Sequence, residues 1–344
     1  MAWREPLARA AKLEQVTARR LPSTPALVAA GLLIAGGLAL SLLSFFPTLQ
    51  AADRRLALLA SFIPYGLVAW ALAALILIWS GRRSARLVAL VPVVGLIVNA
   101  TVLLPYLDSS HNARPGTPAT LRIVALNMHY GQADPAALLE VVQREQPDVV
   151  ILSEFTQTAA PILTDPRWTT LLPYHVGTIG TAGVTMQDGD SSGTQVLSRT
   201  PLQQVGQTTG TTATNLAVRL TTQGHQLVLI AAHPVNPIRG GLDGWLSDGS
   251  ALTSLAERFD QGPLVVAGDL NAVPEHLTVR NLMAATGLHE VMQGWAPTYP
   301  ADRLIPLITI DHVLASDQFR TVAVRRFHVD NTDHLGTVAE LAQS

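Results

Sequence analysis

Several apolar runs in the sequence end in a carboxylate, an amide or an imidazole, the side chains that bind metal ions and move protons. The run 264–267 leads through Gly268 into Asp269 and Asn271, whose spacing places both side chains on one side of an extended chain. Because Gly-Asp and Asn are also ordinary turn residues, this segment alone is explained as well by a simple turn. Five further segments, RIVALN, VVILSE, LVLIAAH, LITIDH and NTDH, deliver Asn127, Glu154, His233, Asp311, and the pair Asp333 and His334.

Strands must position these residues, and the apolar runs predict an α/β domain. Strands are expected at 121–126, 149–152, 196–198, 216–220, 227–232, 264–267, 307–314 and 321–327. One helix is expected from Asp134-Pro135, an N-cap followed by a first-turn proline, to about Glu145, and another over 251–259. Direct succession of strands indicates antiparallel neighbours.

The order Asn, Glu, His, Gly-Asp-x-Asn, Ile-Asp-His, Thr-Asp-His, from Asn127 to His334, resembles the endonuclease/exonuclease/phosphatase superfamily, the deoxyribonuclease I-like fold. The resemblance covers about residues 120–340 and implies a two-sheet α/β sandwich. It also implies a hydrolase that acts on phosphoester bonds with a divalent metal, Mg²⁺ or, as the alternative, Mn²⁺. With the apolar segments that precede this domain, the architecture resembles membrane proteins of vancomycin/teicoplanin resistance, which implies a link with antibiotic resistance.

The oxygens of a phosphoester repel an anionic nucleophile, and a divalent cation would offset that charge. A hard cation of this kind is bound by oxygen ligands. The resemblance implies Glu154 as the first ligand, with Asn127 and Asp333 completing the site. His129 stands near a position where some members of the superfamily have an acidic residue. We interpret it either as a metal ligand or as an exposed histidine.

The remaining residues would carry the proton chemistry. Asp311 would hold the tautomer of His334 and favour its cation. This pair would either activate the attacking water or protonate the leaving oxygen. Asp269 would align the water or the leaving group, while Asn271 and His233 would donate hydrogen bonds to the phosphoryl oxygens.

Four neighbouring residues complete the assignment. Asn236, in AAHPVNP, is a candidate substrate-binding residue, because some members use an asparagine there to contact phosphate. His312 directly follows Asp311 in a strand and should point to the other face, as a structural residue. Glu275 is expected on a solvated loop, and His276 is assigned no role.

The first third of the chain is apolar enough to predict three transmembrane helices. Charged residues make up 14% of the chain, against about 25% in typical globular domains. The segments 26–46, 56–79 and 87–106 contain no charged residue and are each long enough to span a membrane. A cleaved signal peptide followed by buried helices is the alternative, which three such segments disfavour. The absence of ionisable residues within them argues against a transporter or a proton pump.

The basic residues predict the orientation of these helices. Eight lie before the first segment or between the second and third, against two between the first and second. Since positive residues stay on the cytoplasmic side, the N-terminus is expected inside and the chain after Tyr106 outside the plasma membrane. The predicted division is a cytoplasmic segment 1–25, three membrane helices within 26–106, a linker 107–119 and an extracytoplasmic metallophosphohydrolase domain 120–344.

The net charge of the predicted catalytic domain bears on which class of substrate it can bind. From residue 118 onward the chain has 12 Arg and no Lys against 14 Asp and 7 Glu, a net charge of −9, which disfavours binding to long nucleic acid. The main hypothesis is a membrane-anchored phosphoester hydrolase acting on a lipid-linked phosphate or diphosphate. The alternatives are a phospholipid or sphingolipid phosphodiesterase, a nuclease of the same superfamily, and a catalytically silent receptor or scaffold.

Overall fold

The computed structural model describes residues 24–80, 83–107, 109–181, 190, 192–292 and 294–343. The chain divides into two compact units. Among the described residues, one unit comprises 24–46 together with those between 62 and 104, and the other comprises 47–61 together with those from 105 onward. The predicted cytoplasmic segment 1–25 lies outside the described residues, except for its last two.

The first unit consists of apolar helices. These are α1 (Thr24–Phe45), then, after helix α2 (Arg54–Ala60) of the second unit, α3 (Gly66–Trp79), α4 (Arg83–Val88) and α5 (Leu90–Ala100). They pack around Trp70, which is 2% exposed and whose indole N–H donates to Ser41 Oγ over 3.2 Å. A Cβ at Gly37 or Gly95 would lie 2.7 or 2.6 Å from the Trp70 ring, so glycine at both positions lets the helices approach it. Asn99 Nδ2 also donates to Ser41 Oγ, over 2.7 Å, which pairs α5 with α1.

The prediction of three transmembrane helices is wrong. Within the described residues, α1 is long and apolar enough to cross a membrane, and a second span exists only if the bent pair Arg54–Ala60 and Ile63–Trp79 counts as one. That pair is bent by 63°, and Pro64, the second residue of the short helix Ile63–Tyr65, has no backbone N–H with which to continue the preceding helix. The third predicted segment becomes a shorter apolar helix, Ser84–Ala100. Hydropathy records composition, and it does not register where the backbone changes direction.

The second unit contains two six-stranded sheets, which confirms the predicted two-sheet α/β sandwich. The first sheet is built from β1 (Leu121–Asn127), β2 (Val149–Ser153), β3 (Tyr174–Gly177), β4 (Thr194–Ser198), β11 (Phe319–Phe327) and β12 (Gly336–Gln343). The second is built from β5 (Leu202–Gln207), β6 (Leu216–Thr222), β7 (His225–Ala232), β8 (Leu264–Asp269), β9 (His289–Glu290) and β10 (Asp311–Ala315). Their orders are β11-β12-β1-β2-β4-β3 and β5-β6-β7-β8-β10-β9. The pairs β1–β2 and β7–β8 are parallel and the other neighbours are antiparallel.

Both sheets are covered on both faces. Side chains alternate along each strand, so Ile123 and Ile151 enter the core between the sheets, while Val124 and Val150 pack on the opposite face with Leu138. The helices outside the strands are α6 (Leu104–Leu107), α7 (Pro135–Glu145), α8 (Pro166–Thr169), α9 (Gly241–Glu257) and α10 (Leu277–Thr286). Helix α7 covers the first sheet, and α9 and α10 cover the second. The ends of the central strands are therefore where polar side chains can gather.

Candidate active site

The carboxyl ends of the two parallel strand pairs meet at one edge of the sandwich. The predicted residues at these strand ends are Asn127, Glu154, His233 and Asp269. Strand β10 runs antiparallel to β8 and begins at this edge, which sets Asp311 opposite Asp269 in the ladder. The loop before β12 returns to the same edge, where Thr332 Oγ1 donates to the carbonyl oxygen of Asn127 over 2.8 Å. This topology brings together residues more than 200 positions apart.

Asp269 connects the two sheets at the centre of the site. Its Oδ2 accepts a hydrogen bond from Asn127 Nδ2 over 2.9 Å, and its Oδ1 accepts one from the backbone N–H of Asn271 over 2.7 Å. Burial raises the pKa of the Asp269 carboxyl. Gly268 precedes it with φ +134°, and a Cβ there would lie 2.3 Å from the carbonyl oxygen of Ala232. Glycine is therefore required for β7 and β8 to deliver His233 and Asp269 side by side.

Asp311 and His334 form a buried ion pair beside Asp269. His334 Nδ1 lies 3.0 Å from Asp311 Oδ2, and the two residues are 5% and 3% exposed. Although burial opposes the charged ring, the carboxylates of Asp311 and Asp269 raise the pKa of His334 to about 10. With Nδ1 held by Asp311, the other ring nitrogen, Nε2, lies 3.9 Å from Asp269 Oδ2. At neutral pH His334 is consequently a proton donor.

Glu154 and His233 occupy the opposite wall of the site. Glu154 adopts φ +52° directly after β2, and its Oε2 accepts a hydrogen bond from the backbone N–H of Tyr130 over 2.8 Å. Burial raises the pKa of Glu154. His233 Nε2 lies 3.9 Å from Glu154 Oε1, and burial lowers the pKa of His233, so the ring is neutral. Among the described residues its buried Nδ1 has no hydrogen-bond partner.

Asp333 is engaged by a histidine whose role the sequence left open. His129 Nδ1 lies 2.9 Å from Asp333 Oδ1. This hydrogen bond raises the pKa of His129 and, against the effect of burial, lowers the pKa of Asp333. His129 is thus half-buried and paired with a carboxylate. Asp333 Oδ1 remains 3.9 Å from His334 Nε2, within the site.

A pocket of about 250 Å³ opens onto this cluster. Six of the nine predicted residues line it, namely Glu154, Asn236, Asp269, Asn271, Asp333 and His334. His233 lines an adjoining cleft together with Glu154 and Asn271. Asn127 and Asp311 stand behind the pocket wall, hydrogen-bonded to Asp269 and His334. The structure therefore brings all nine residues together.

Sequence reasoning missed Arg239, which lines both the pocket and the adjoining cleft. Asn236 positions it, because Asn236 Oδ1 accepts hydrogen bonds from the backbone N–H groups of Ile238 and Arg239 over 3.0 and 2.8 Å. The same turn leaves the Asn236 amide nitrogen as the donor end of that side chain. Tyr299 was also missed; its ring centre lies 5.0 Å from that of His334. The signal for Arg239 was a cation six residues after the strand-end His233.

Two residues outside the predicted set are structural. His312 is fully buried as expected, with Nδ1 2.6 Å from Glu290 Oε2 and Nε2 2.8 Å from the carbonyl oxygen of Ala272. Glu275 is not on a solvated loop. It is 4% exposed and accepts a hydrogen bond from the Tyr106 hydroxyl over 2.5 Å.

The donor set fits a hard divalent cation. Burial raises the pKa of Asp269 and of Glu154 because it disfavours their ionised forms. A divalent cation bound beside them would stabilise those ionised forms. The Asn127 side chain donates a hydrogen bond to Asp269 and accepts one from the backbone N–H of His129. The ligand atoms of Asp269, Asp311 and His334 all lie within 4.8 Å of one another, but Asp311 and His334 already satisfy each other. Glu154, Asn127 and Asp333 offer further oxygen donors beside this group.

Comparison with known proteins gives one family. Residues 124–334, more than half of the chain, match the Endonuclease/Exonuclease/phosphatase family. No curated protein matches the sequence significantly.

Solved structures of this family have a similar fold. A family protein from Leptotrichia buccalis is 13% identical with a TM-score of 0.51, and the match covers 64% of this chain and 99% of that one. The human Nocturnin catalytic domain with bound sulfate is 17% identical, with a TM-score of 0.49 and coverages of 66% and 96%. A mannosyl-6-phosphatase from Bacteroides thetaiotaomicron is 15% identical, with a TM-score of 0.47 and coverages of 64% and 99%. At these identities the similarity concerns the fold alone, and the first of the three carries it.

Proposed function

Because the chain belongs to the endonuclease/exonuclease/phosphatase family, whose members hydrolyse phosphoester bonds, we propose that it is a membrane-attached, divalent-metal-dependent hydrolase of lipid-linked phosphate or diphosphate. The observation that carries the proposal is the buried pair Asp311–His334, set against Asp269 at the base of a pocket that Arg239 also lines. This arrangement places a proton donor, a proton acceptor and a cation around one small volume.

The residues divide the work of hydrolysis. A divalent cation, Mg²⁺ by preference, held by Glu154 and Asn127 would neutralise the phosphoryl oxygens. His334, protonated through Asp311, donates its Nε2 proton to the leaving oxygen or to a phosphoryl oxygen. Asp269, whose pKa burial raises, accepts a hydrogen bond or a proton from the attacking water. The raised pKa of His334 favours its acid role, because the ring stays protonated at neutral pH, and the raised pKa of Asp269 makes it the stronger base.

Arg239, Asn236 and Asn271 would bind the phosphate. Arg239 supplies a planar cation suited to paired hydrogen bonds with phosphate oxygens, and Asn236 sets its backbone position. Asn271 Nδ2 already donates to the carbonyl oxygen of Pro234 over 2.9 Å, which fixes the orientation of its amide. A donor fixed in advance stabilises charge as it develops, at no reorganisation cost.

The apolar helices support membrane attachment, and hence a substrate that resides in the membrane. Helix α1 passes the length and composition test for a span, as a signal sequence near the N-terminus also would. We favour an anchor, because Ser41 of α1 is bonded to Trp70 and Asn99 of later helices, contacts that cleavage would destroy. Five basic residues before α1, against Arg54 and Arg55 after it, favour a cytoplasmic N-terminus and an extracytoplasmic active site in the plasma membrane.

The direct test is hydrolysis by the purified full-length chain in detergent with Mg²⁺ or Mn²⁺. Release of phosphate from polyprenyl phosphate or diphosphate is expected, and Glu154→Gln, assayed at limiting Mg²⁺, is the control with a reduced rate. Release of choline phosphate from phosphatidylcholine or sphingomyelin instead would identify a lipid phosphodiesterase, and cleavage of plasmid DNA would identify a nuclease. If no phosphoester, including an activated aryl phosphate, is hydrolysed with either metal, the proposal fails and a receptor or scaffold role replaces it.

A further inference from the structure

Residues 47–61 are an unexpected part of the catalytic unit. They lie more than 60 positions before the stretch that matches the family, 124–334, yet they pack with the two sheets in one compact unit. The segment consists of a short 3-10 helix, Pro47–Ala51, followed by α2, Arg54–Ala60. It begins two residues after α1 ends. A part of the chain that the family domain does not contain is therefore built into that domain.

Gln50 fastens the first half of the segment. Its Nε2 donates to the carbonyl oxygen of Glu275 over 3.1 Å, and its Oε1 accepts from the backbone N–H of Leu277 over 2.9 Å. The side chain is fully buried. A buried amide that satisfies one backbone acceptor and one backbone donor fixes position and orientation together.

His276 fastens the second half. Its Nδ1 accepts a hydrogen bond from the backbone N–H of Val273 over 3.0 Å. The ring proton is therefore on Nε2, which donates to the carbonyl oxygen of Ala57 over 2.9 Å. Ala57 is in the last turn of α2, where carbonyl groups lack partners within the helix. The buried side chain of His276 thus caps the C-terminal end of α2 and holds the segment 47–61 in a defined position.

The docked segment 47–61 adds an apolar side chain to the wall of the pocket. Leu58 and Ser61 from the segment line the pocket, and Ile238, Ile308 and Ile310 line it as well. The charged groups, Glu154, Asp269 and His334, occupy the catalytic part of the same pocket. Ile238 is 61% exposed, and Leu58 is half-buried. Apolar side chains left in contact with water beside a charged cluster are what an amphiphilic ligand would cover.

We propose that Leu58, with Ile238 and Ile308, forms an apolar subsite for the hydrocarbon chain next to the substrate's phosphate, so that residues 47–61 select phosphoesters of apolar alcohols. The proposal rests on the proposed function and names the substrate feature that this site recognises. Phosphate would be bound at the charged part of the pocket, and the first carbons of the chain would cover Leu58.

The test compares two chain lengths with the same headgroup on the full-length protein in detergent. The substrates are farnesyl phosphate and dimethylallyl phosphate, with the corresponding diphosphates as a second pair. Leu58→Ser removes apolar surface from the subsite, so we expect the ratio of kcat/KM for the long over the short substrate to fall about tenfold. Leu58→Trp fills the subsite and should lower the same ratio by occupying its volume rather than by removing apolar surface. The matched control is Leu59→Ser, which alters an adjacent exposed leucine (38% exposed) and should leave the ratio unchanged.

Each outcome decides the proposal. If Leu58→Ser and Leu58→Trp fold, judged by an unchanged melting temperature, and keep the wild-type ratio, the subsite is disproved while the hydrolase function stands. If Leu59→Ser lowers the ratio as much as Leu58→Ser, the effect does not arise from the pocket and the proposal is equally overturned. If the wild-type protein hydrolyses neither length, the proposed function fails, and the subsite fails with it.

Discussion

The charge of Asp311 decides whether His334 can act as a proton donor. Asp311→Asn keeps the shape of the side chain but removes a carboxylate that, with Asp269, raises the pKa of His334 to about 10. Since the raised pKa keeps the ring protonated up to that pH, its loss should move the alkaline limb of the kcat/KM profile to lower pH. Added Mg²⁺ should not restore the rate. An alkaline limb that stays in place would exclude His334 as the acid, and Asp317→Asn, at a carboxylate 77% exposed, serves as the control.

Glu154 should respond to metal concentration where Asp311 does not. Glu154→Gln removes the charge of the principal proposed ligand but keeps an oxygen in the same position. We expect weaker Mg²⁺ binding, measured by titration calorimetry, and partial recovery of the rate in excess Mg²⁺. Rescue of Asp311→Asn by metal, with none for Glu154→Gln, would mean that the two roles must be exchanged.

Arg239 should contribute to phosphate binding without setting the pH profile. Loss of a charge-assisted hydrogen bond costs about 1.5–3 kcal/mol, which corresponds to a fall in kcat/KM of roughly tenfold to a hundredfold for Arg239→Ala. Arg219→Ala, at an exposed arginine on β6, should have no effect. Equal activity of Arg239→Ala and the wild type would remove Arg239 from the site.

The residues at strand ends could be predicted because a buried strand followed by a carboxylate or imidazole is a local pattern. Arg239 could not, since it stands in a loop whose course depends on the turn made by Asn236. The pairing of Asp333 with His129 could not be predicted either, because the two residues are more than 200 positions apart in the chain. Pairing across the fold is tertiary information.

At the scale of elements, helix α2 should undock in acid. Its cap requires a neutral His276, and burial, with His312 and Arg280 nearby, lowers the pKa of that ring to about 4. A histidine whose folded pKa lies below its unfolded value of about 6.5 contributes stability that is complete above pH 6.5 and is lost as the pH falls toward 4.

Amide hydrogen exchange of residues 54–60, corrected for the intrinsic rate, should therefore accelerate between pH 6.5 and 4. His276→Gln should exchange faster at pH 7 and show no further acceleration across this window. Constant protection of wild-type α2 down to pH 4 would show that the cap does not hold the helix.

Tertiary packing, rather than local propensity, determines the bounds of the helix and strands that differ from the sequence prediction. A helix was expected over 251–259, but α9 begins at Gly241, because the buried Trp245 (1% exposed) anchors a glycine-rich first half against the sheet. The strand expected at 307–314 is confined to Asp311–Ala315, and Ile308 instead bridges to Tyr299. Strand β12 was not predicted, because its position beside β1 depends on a partner at the opposite end of the domain.

At the scale of the whole molecule, composition predicted an apolar first third and an acidic remainder, and strand succession predicted an α/β domain with antiparallel neighbours. The two-sheet sandwich was implied by the resemblance of the motif order to the superfamily. The number of membrane helices could not be obtained in this way. The apolar stretch 56–79 is divided between the two units. Its first residues belong to α2, in the catalytic unit, and α3 belongs to the other unit. Hydropathy is the same on both sides of that break.

This division has a topological consequence. Residues 47–61 and residues from 105 onward belong to one folded unit, so both must be on the same side of any membrane that α1 crosses. The intervening residues 62–104 must then begin and end on that side, which agrees with α1 as the helix of the described residues that is long and apolar enough to cross. A single crossing by α1 consequently places the N-terminus and the active site on opposite faces.

This topology can be tested with single introduced cysteines, because the chain contains no natural cysteine. In intact cells, a membrane-impermeant maleimide should label Arg54→Cys and Asp317→Cys alike, and should label Ala2→Cys only after the membrane is permeabilised. Arg83→Cys should react like Arg54→Cys, and labelling like that of Ala2→Cys would show that residues 62–104 cross the membrane twice. Labelling of Arg54→Cys and Asp317→Cys from opposite sides would mean that residues 47–61 do not belong to the catalytic unit in the membrane.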